Sequence, residues 1–164
     1  MLWGGWLYPI LGKSKLMGAG LALEHVIESN LQPDYLMGCS LAFSRRLVDE
    51  IGLMDESYFM YSEEVDWQLR AIRKDYSLTV IESSRVNHVG AMSSGGHGEF
   101  YHYYRNRAAI MFNRKFYGTA FALLSAINLS LITILLEYHS PRNVISGVKG
   151  AFAGILQRGS KYEY

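Results

Sequence analysis

The sequence predicts an α/β domain followed by a helical extension, and three observations carry that prediction. Short strand-like stretches alternate with amphipathic helical ones between Tyr35 and Phe116. A run of 18 residues without a charge, Thr119–Leu136, then breaks the pattern. The sign of the charge also changes along the chain. Residues 1–100 carry eight Lys/Arg against thirteen Asp/Glu, net −5, whereas residues 101–164 carry eight against two, net +6. The domain is therefore placed at 1–116 and the extension at 117–164. A length of 164 residues is enough to enclose a core. An apolar share of 49%, with twelve tyrosines, excludes a disordered chain.

The elements follow in order. Residues 1–33 mix Gly, Lys and Pro around a short helical patch near Leu21–Glu28, and they are expected to cover the sheet edge. Tyr35–Phe43 reads as a strand, and Ser44–Ile51 as a short helix capped by Ser44 and stopped by Gly52. Glu63–Lys74 reads as a helix with Ser62 as its N-cap, and Leu78–Glu82 as a second strand. Met92–Gly98 is a glycine-rich loop. Glu99–Phe116 is a long helix carrying aromatic and Arg residues on different faces. Pro141 marks a turn, and Arg142–Leu156 a last amphipathic helix.

The chemistry concentrates at residues 55–66, Asp-Glu-Ser-Tyr-Phe-Met-Tyr-Ser-Glu-Glu-Val-Asp. An aromatic stretch runs there into three carboxylates, Glu63, Glu64 and Asp66. Acidic side chains suit a first helical turn, where unpaired N–H groups carry partial positive charge. A carboxylate at the mouth of an apolar pocket is also how a general base is made. The plainer reading stays open: Asp66 and Arg70 are spaced for an i,i+4 ion pair, and Glu63 with Glu64 for a solvated helix start.

Flanking segments extend the pattern. Upstream lie Asp34–Arg46, with Gly38-Cys39-Ser40, and then Gly52-Leu53-Met54-Asp55-Glu56. Downstream come His88-Val89-Gly90-Ala91-Met92-Ser93 and Tyr103-Tyr104-Arg105-Asn106-Arg107. With the opening Trp3-Gly4-Gly5-Trp6, this ordered set resembles the acceptor-side half of the inverting, GT-A-fold glycosyltransferases of family 2, especially their bacterial rhamnosyltransferase-like branch. The resemblance covers roughly residues 3–115. Two positions depart from it: Glu64 stands where Asp is usual, and Ser93 arrives one residue late. The larger departure is that no Asp-x-Asp motif, which holds the donor's metal in that family, occurs in the chain. A partial GT-A-like domain lacking its nucleotide-binding half is the expectation, with that half encoded separately, lost or left off.

The resemblance implies roles. Glu64 is the base that deprotonates the acceptor hydroxyl, and Glu63 and Asp66 orient acceptor or base. His88 reaches a metal or the diphosphate. Arg105 and Arg107 meet phosphate, the plainer reading being a solvated helix surface. Trp67, Gly38 and Cys39 line the donor or acceptor site, although core packing is the simpler role for Trp67 and for a lone Cys39. His97, in the loop, is a weaker candidate. The complete enzyme would need a divalent Mn or Mg ion, which this chain is not expected to bind alone. Its partners would be a nucleotide-diphospho-sugar donor (of rhamnose, in the related branch's manner), a lipid-linked or growing glycan acceptor and a separately encoded N-terminal half. No nucleic acid is expected. The alternative is a non-catalytic fragment or membrane-bound partner subunit, or a small membrane-associated structural protein.

A single cysteine excludes an internal disulfide framework and fits a reducing compartment. The N-terminus has no basic stretch of the kind that opens a secretory signal. Thr119–Leu136 is at the short end of what spans a bilayer, about 17–25 residues. Its basic neighbours, Arg114, Lys115, Arg142 and Lys149, lie on both sides. Three readings compete: a helix lying in the cytoplasmic face of the membrane, a true span, and a buried core or oligomer helix.

Overall fold

In the computed structural model, residues 4–16, 33–81, 84, 86 and 96–157 are described. The fold is mixed α/β and mainly helical, with a small three-stranded sheet and five α-helices among those residues. The strands are β1 (Gly4–Tyr8), β2 (Lys13–Leu16) and β3 (Tyr35–Leu36). The helices are α1 (Arg45–Ile51), α2 (Glu63–Ile72), α3 (Glu99–Tyr117), α4 (Thr119–Leu136) and α5 (Pro141–Leu156). The chain forms two compact units that interleave in sequence. One holds the described residues of Met1–Leu7, Ser14–Met54 and Glu64–His88, the other those of Tyr8–Lys13, Asp55–Glu63 and Val89–Tyr164. The units therefore do not follow a division at 116/117, because α3 packs with α4 and α5.

In the first unit, β1 lies between β2 and β3, and it pairs antiparallel with β3 through Gly4 opposite Leu36 and Gly5 opposite Tyr35. Glycine is required here by crowding. A Cβ on Gly4 would lie 2.2 Å from the Tyr35 carbonyl oxygen, and one on Gly5 2.7 Å from that of Lys15. The core is Leu47, Ile51, Trp67 and Ala71, packed where α1 meets α2. Ser44 caps α1 by accepting from the Leu47 N–H, and Gly52, at φ 73°, ends it, as the sequence predicts. Exposed i,i+4 pairs, Arg45–Asp49 and Arg46–Glu50, run along its surface.

Four expected elements differ. Of Tyr35–Phe43 only Tyr35–Leu36 is paired, because the Gln68 side chain then occupies both backbone groups of Leu36. Leu78–Ile81 is outside any ladder, and Glu82 lies outside the described residues. α2 ends at Ile72 rather than Lys74, in a turn where Asp75 is left-handed, φ 63°. Ser62 has φ 65°, whereas a side-chain N-cap is extended. The helical patch near Leu21–Glu28 lies outside the described residues.

The second unit is a three-helix assembly of α3, α4 and α5, with the 3-10 turns Pro9–Leu11 and Glu56–Tyr58 attached. Its packing is reversed relative to a water-soluble bundle. Facing inward are Ala122, Ser125, Ala126, Leu129 and Thr133 of α4 and Gly147, Gly150, Ala151 and Gly154 of α5. Exposed outward are Leu123, Leu124, Ile127, Leu131, Ile134 and Leu135 of α4 and Ile145, Val148, Phe152 and Leu156 of α5. The α5 glycines permit backbone approach: a Cβ at Gly150 would lie 2.1 Å from the Tyr103 carbonyl oxygen, and one at Gly154 2.7 Å from that of Arg107. Polar side chains bridge the helices. Asn106 donates to Thr133 Oγ1 and to the Gly147 carbonyl, both at 3.1 Å. Asn113 donates to Ser125, and both side chains bond the Pro9 carbonyl. α4 is long and apolar enough to cross a membrane, and 28% of it is buried.

Candidate functional site

The carboxylates opening α2 meet different fates. Asp66 is fully buried at 0% exposure, in an ion pair of 2.8 Å with Arg70, itself 3% exposed. Arg70 also donates to the carbonyls of Ile51 and, at 2.7 Å, Leu53, while the Trp67 indole N–H donates to the Gly52 carbonyl at 2.8 Å. The C-terminal carbonyls of α1, left without partners by the end of the helix, are thus satisfied from α2. Trp67 packs edge-on against Phe43 at 4.7 Å and is buried. The geometry gives Asp66 and Trp67 a structural role, since neither presents a surface to a ligand.

Glu64 is different. Gly38 lies against it, and a Cβ there would be 3.0 Å from Glu64 Cγ. Gln68, one turn on, accepts from the Leu36 N–H at 2.6 Å and donates to the Leu36 carbonyl at 2.9 Å and the Glu64 carbonyl at 3.0 Å. One glutamine thereby fixes the end of β3 to the first turn of α2, holding Gly38 over Glu64. Burial chiefly, opposed by a hydrogen bond from Ser14 and assisted by the charge of Glu64, pushes the Tyr35 hydroxyl above its usual range. Cys39, on the turn after Gly38, is exposed with a free thiol.

Glu63, half-buried, has a carboxylate oxygen, Oε2, that is shielded from solvent without a hydrogen-bond partner. Desolvation raises its pKa, offset in part by its own backbone N–H. The three residues Phe59, Tyr61 and Ser62 that lead up to it all have positive φ, of 67°, 68° and 65°. Phe59, with ψ −50°, lies in a region rarely entered by residues with a side chain. Backbone strain of this kind costs on the order of 1–3 kcal/mol per residue and concentrates at functional sites.

In the second unit, these strained aromatics sit in a ring cluster with α3. Phe59, 65% exposed, packs on Tyr104 and Phe100 at 4.8 and 6.3 Å, and Tyr61 on Tyr101 at 5.7 Å. His97 stacks on Tyr101 at 4.6 Å, and the Arg105 guanidinium lies over that ring at 5.7 Å. Arg105 is half-buried. Arg107 is occupied: it donates to the carbonyls of Ser57 and Tyr58 at 2.8 and 2.9 Å and to the Gln157 amide oxygen. It closes the Glu56–Tyr58 turn and is structural.

His88 lies outside the described residues. Among the described residues there is no group of three His, Cys, Asp or Glu that could hold a metal. The sequence assigns neither Gln68 nor Tyr35 a place in the site. Gln68 sits at i+4 from Glu64, a spacing that places both on one face, but its bond to Leu36 has no local signal. No known protein family, curated protein or solved structure matches the chain.

Proposed function

We propose that this chain is the acceptor-side part of a GT-A-like, family 2-type inverting glycosyltransferase that works at a membrane surface. It would transfer a sugar such as rhamnose from a nucleotide-diphosphate donor to a lipid-linked glycan on the cytoplasmic side, in cell-surface polysaccharide synthesis. The observation that carries the reading is the fixed setting of Glu64 beneath Gly38, with Gln68 binding the two segments together. Deprotonating a sugar hydroxyl requires a carboxylate held in place beside an approachable surface, and a turn without a side chain provides that approach. Glu64 then takes the hydroxyl proton as that oxygen attacks the anomeric carbon and the diphosphate leaves. The shielded, more basic Glu63 orients the acceptor, and Arg105 meets phosphate.

Support for the membrane setting comes from the second unit. Large aliphatics outside and small or polar residues inside are the arrangement suited to lipid, where helix association relies on close backbones and interhelical hydrogen bonds. α4 spans about 27 Å at 1.5 Å per residue, near the hydrocarbon thickness of ~30 Å.

The reading is tested by co-expressing the chain with the nucleotide-binding half of a family 2 enzyme and measuring transfer of labelled rhamnose into the lipid fraction of membranes. Transfer that depends on the chain and is lost in Glu64→Gln is expected. Transfer unaffected by Glu64→Gln removes the proposed base, and no transfer with any supplied half removes the enzymatic reading. The structural employment of Asp66, Trp67 and Arg107 favours a second reading, a non-catalytic membrane partner that keeps the fold. That reading expects copurification with a nucleotide-binding half, with transfer indifferent to Glu64.

A further inference from the structure

The second unit contains a cavity of about 240 Å³, apart from the acidic motif, lined chiefly by Asp55, Ser57, Met111, Arg114, Lys115 and Gln157. Its charge is unbalanced. Lys115 pairs with Asp55 at 3.1 Å, and Asp55 also accepts from the Ser57 N–H. Among the described residues, Arg114 is held by neutral carbonyls, donating through Nη1 to Ile155 at 2.7 Å and to Gln157 at 3.3 Å, with no partner there for its Nε and Nη2. Arg107, directly behind the wall, is likewise held by the carbonyls of Ser57 and Tyr58 and the Gln157 amide. Among the described residues, three cations thus stand beside one carboxylate. The wall also holds a buried hydroxyl, Ser57 Oγ, that has no hydrogen-bond partner. A buried hydroxyl without a partner is costly.

We propose that this cavity is a phosphate-binding site, taking a phosphate mono- or diester group through the open edge of Arg114, the Ser57 hydroxyl and Lys115. A guanidinium edge beside a hydroxyl matches the geometry and charge of phosphate oxygens. An uncharged sugar would leave the excess positive charge unanswered, and a metal cation would be repelled. Size narrows the ligand further. The cavity is larger than a phosphate group alone and lies below the ~300–1,000 Å³ of sites that enclose whole cofactors. It therefore takes the phosphate together with a part of the group that carries it. The group is carried either by a soluble compound or by a lipid headgroup. The proposal requires nothing of Glu64 and stands apart from the glycosyltransferase reading.

The full chain in neutral detergent is titrated with inorganic phosphate by calorimetry, alongside Arg114→Gln, Ser57→Ala and, as a control, the exposed Arg142→Gln. Saturable binding is expected for wild type and Arg142→Gln, weaker by about tenfold in Arg114→Gln and about threefold in Ser57→Ala. Ser57→Ala removes only an unbonded hydroxyl, so an unchanged circular dichroism melt separates lost binding from lost fold. No saturable binding by the wild type, or equal binding by all four proteins, overturns the proposal. Phosphatidylcholine vesicles with and without phosphatidic acid identify the source. Displacement of phosphate by phosphatidic acid vesicles assigns a lipid headgroup, and phosphate binding that they leave intact assigns a soluble ligand.

Discussion

Asp66 and Arg70 form a buried ion pair, and the guanidinium that Asp66 neutralises also closes the C-terminus of α1 through the carbonyls of Ile51 and Leu53. Removing one partner of such a pair leaves a buried charge uncompensated, at a cost of about 3–5 kcal/mol. Asp66→Ala should therefore lower the unfolding free energy from denaturant titration by that amount, whereas Glu64→Gln should leave it nearly unchanged. Equal losses in the two variants would contradict the division of the motif into structural and chemical carboxylates.

Glu63 makes stability depend on pH in a stated direction. Burial raises its folded-state pKa above the unfolded value, so between those two values the folded chain binds more protons than the unfolded one. Stability must then fall as pH rises through that window. Glu63→Gln should abolish this component and melt at or above the wild-type temperature at neutral pH. Melting curves that keep the same acid-side slope in the variant would show that Glu63 is not its source.

Gly38 controls Glu64 by contact. The atom that a Cβ at Gly38 would crowd belongs to a flexible side chain, Glu64, rather than to backbone. Gly38→Val should thus fold, with a midpoint within about 1 kcal/mol of wild type, yet displace the carboxylate. In the co-expression assay its transfer should drop at least tenfold. Retained transfer would mean that the setting of Glu64 beneath Gly38 has no chemical importance.

The outward face of α4 is the membrane test. Replacing the exposed Leu123, Ile127 and Leu131 with Ser leaves the helix contacts intact and removes apolar area that lipid would cover. Sedimentation with phosphatidylglycerol vesicles should fall at least tenfold, and salt at ~0.5 M should weaken the wild type's residual headgroup attraction. Unchanged sedimentation would assign that face to another protein surface.

Local signals made much of the helical framework legible. The Ser44 cap, the Gly52 stop, the uncharged run of α4 and Pro141 each announce an element boundary, and each boundary lies within a residue or two of its expected place. The strands were over-read, because alternation in Tyr35–Phe43 and Leu78–Ile81 cannot reveal whether a ladder partner exists. The i,i+4 spacing of Asp66 and Arg70 was readable as an ion pair, but not its burial or its attachment to α1. Gln68 and the left-handed run at Phe59, Tyr61 and Ser62 were beyond reach, since neither bulky aromatics nor serine signal a positive φ.

The seat of the Pro9–Leu11 turn bears on the order in which this chain assembles. The Pro9 carbonyl is bonded by Asn113 and Ser125, 104 and 116 residues away, and the Ile10 carbonyl by Asn128, 118 residues away. During synthesis this turn emerges long before its anchors exist, and the closing loop spans more than 100 residues. The N-terminal turn must therefore wait, to be captured as one of the last acts of folding once α4 has left the ribosome. Chains released before residue 128 would lack all or part of that latch.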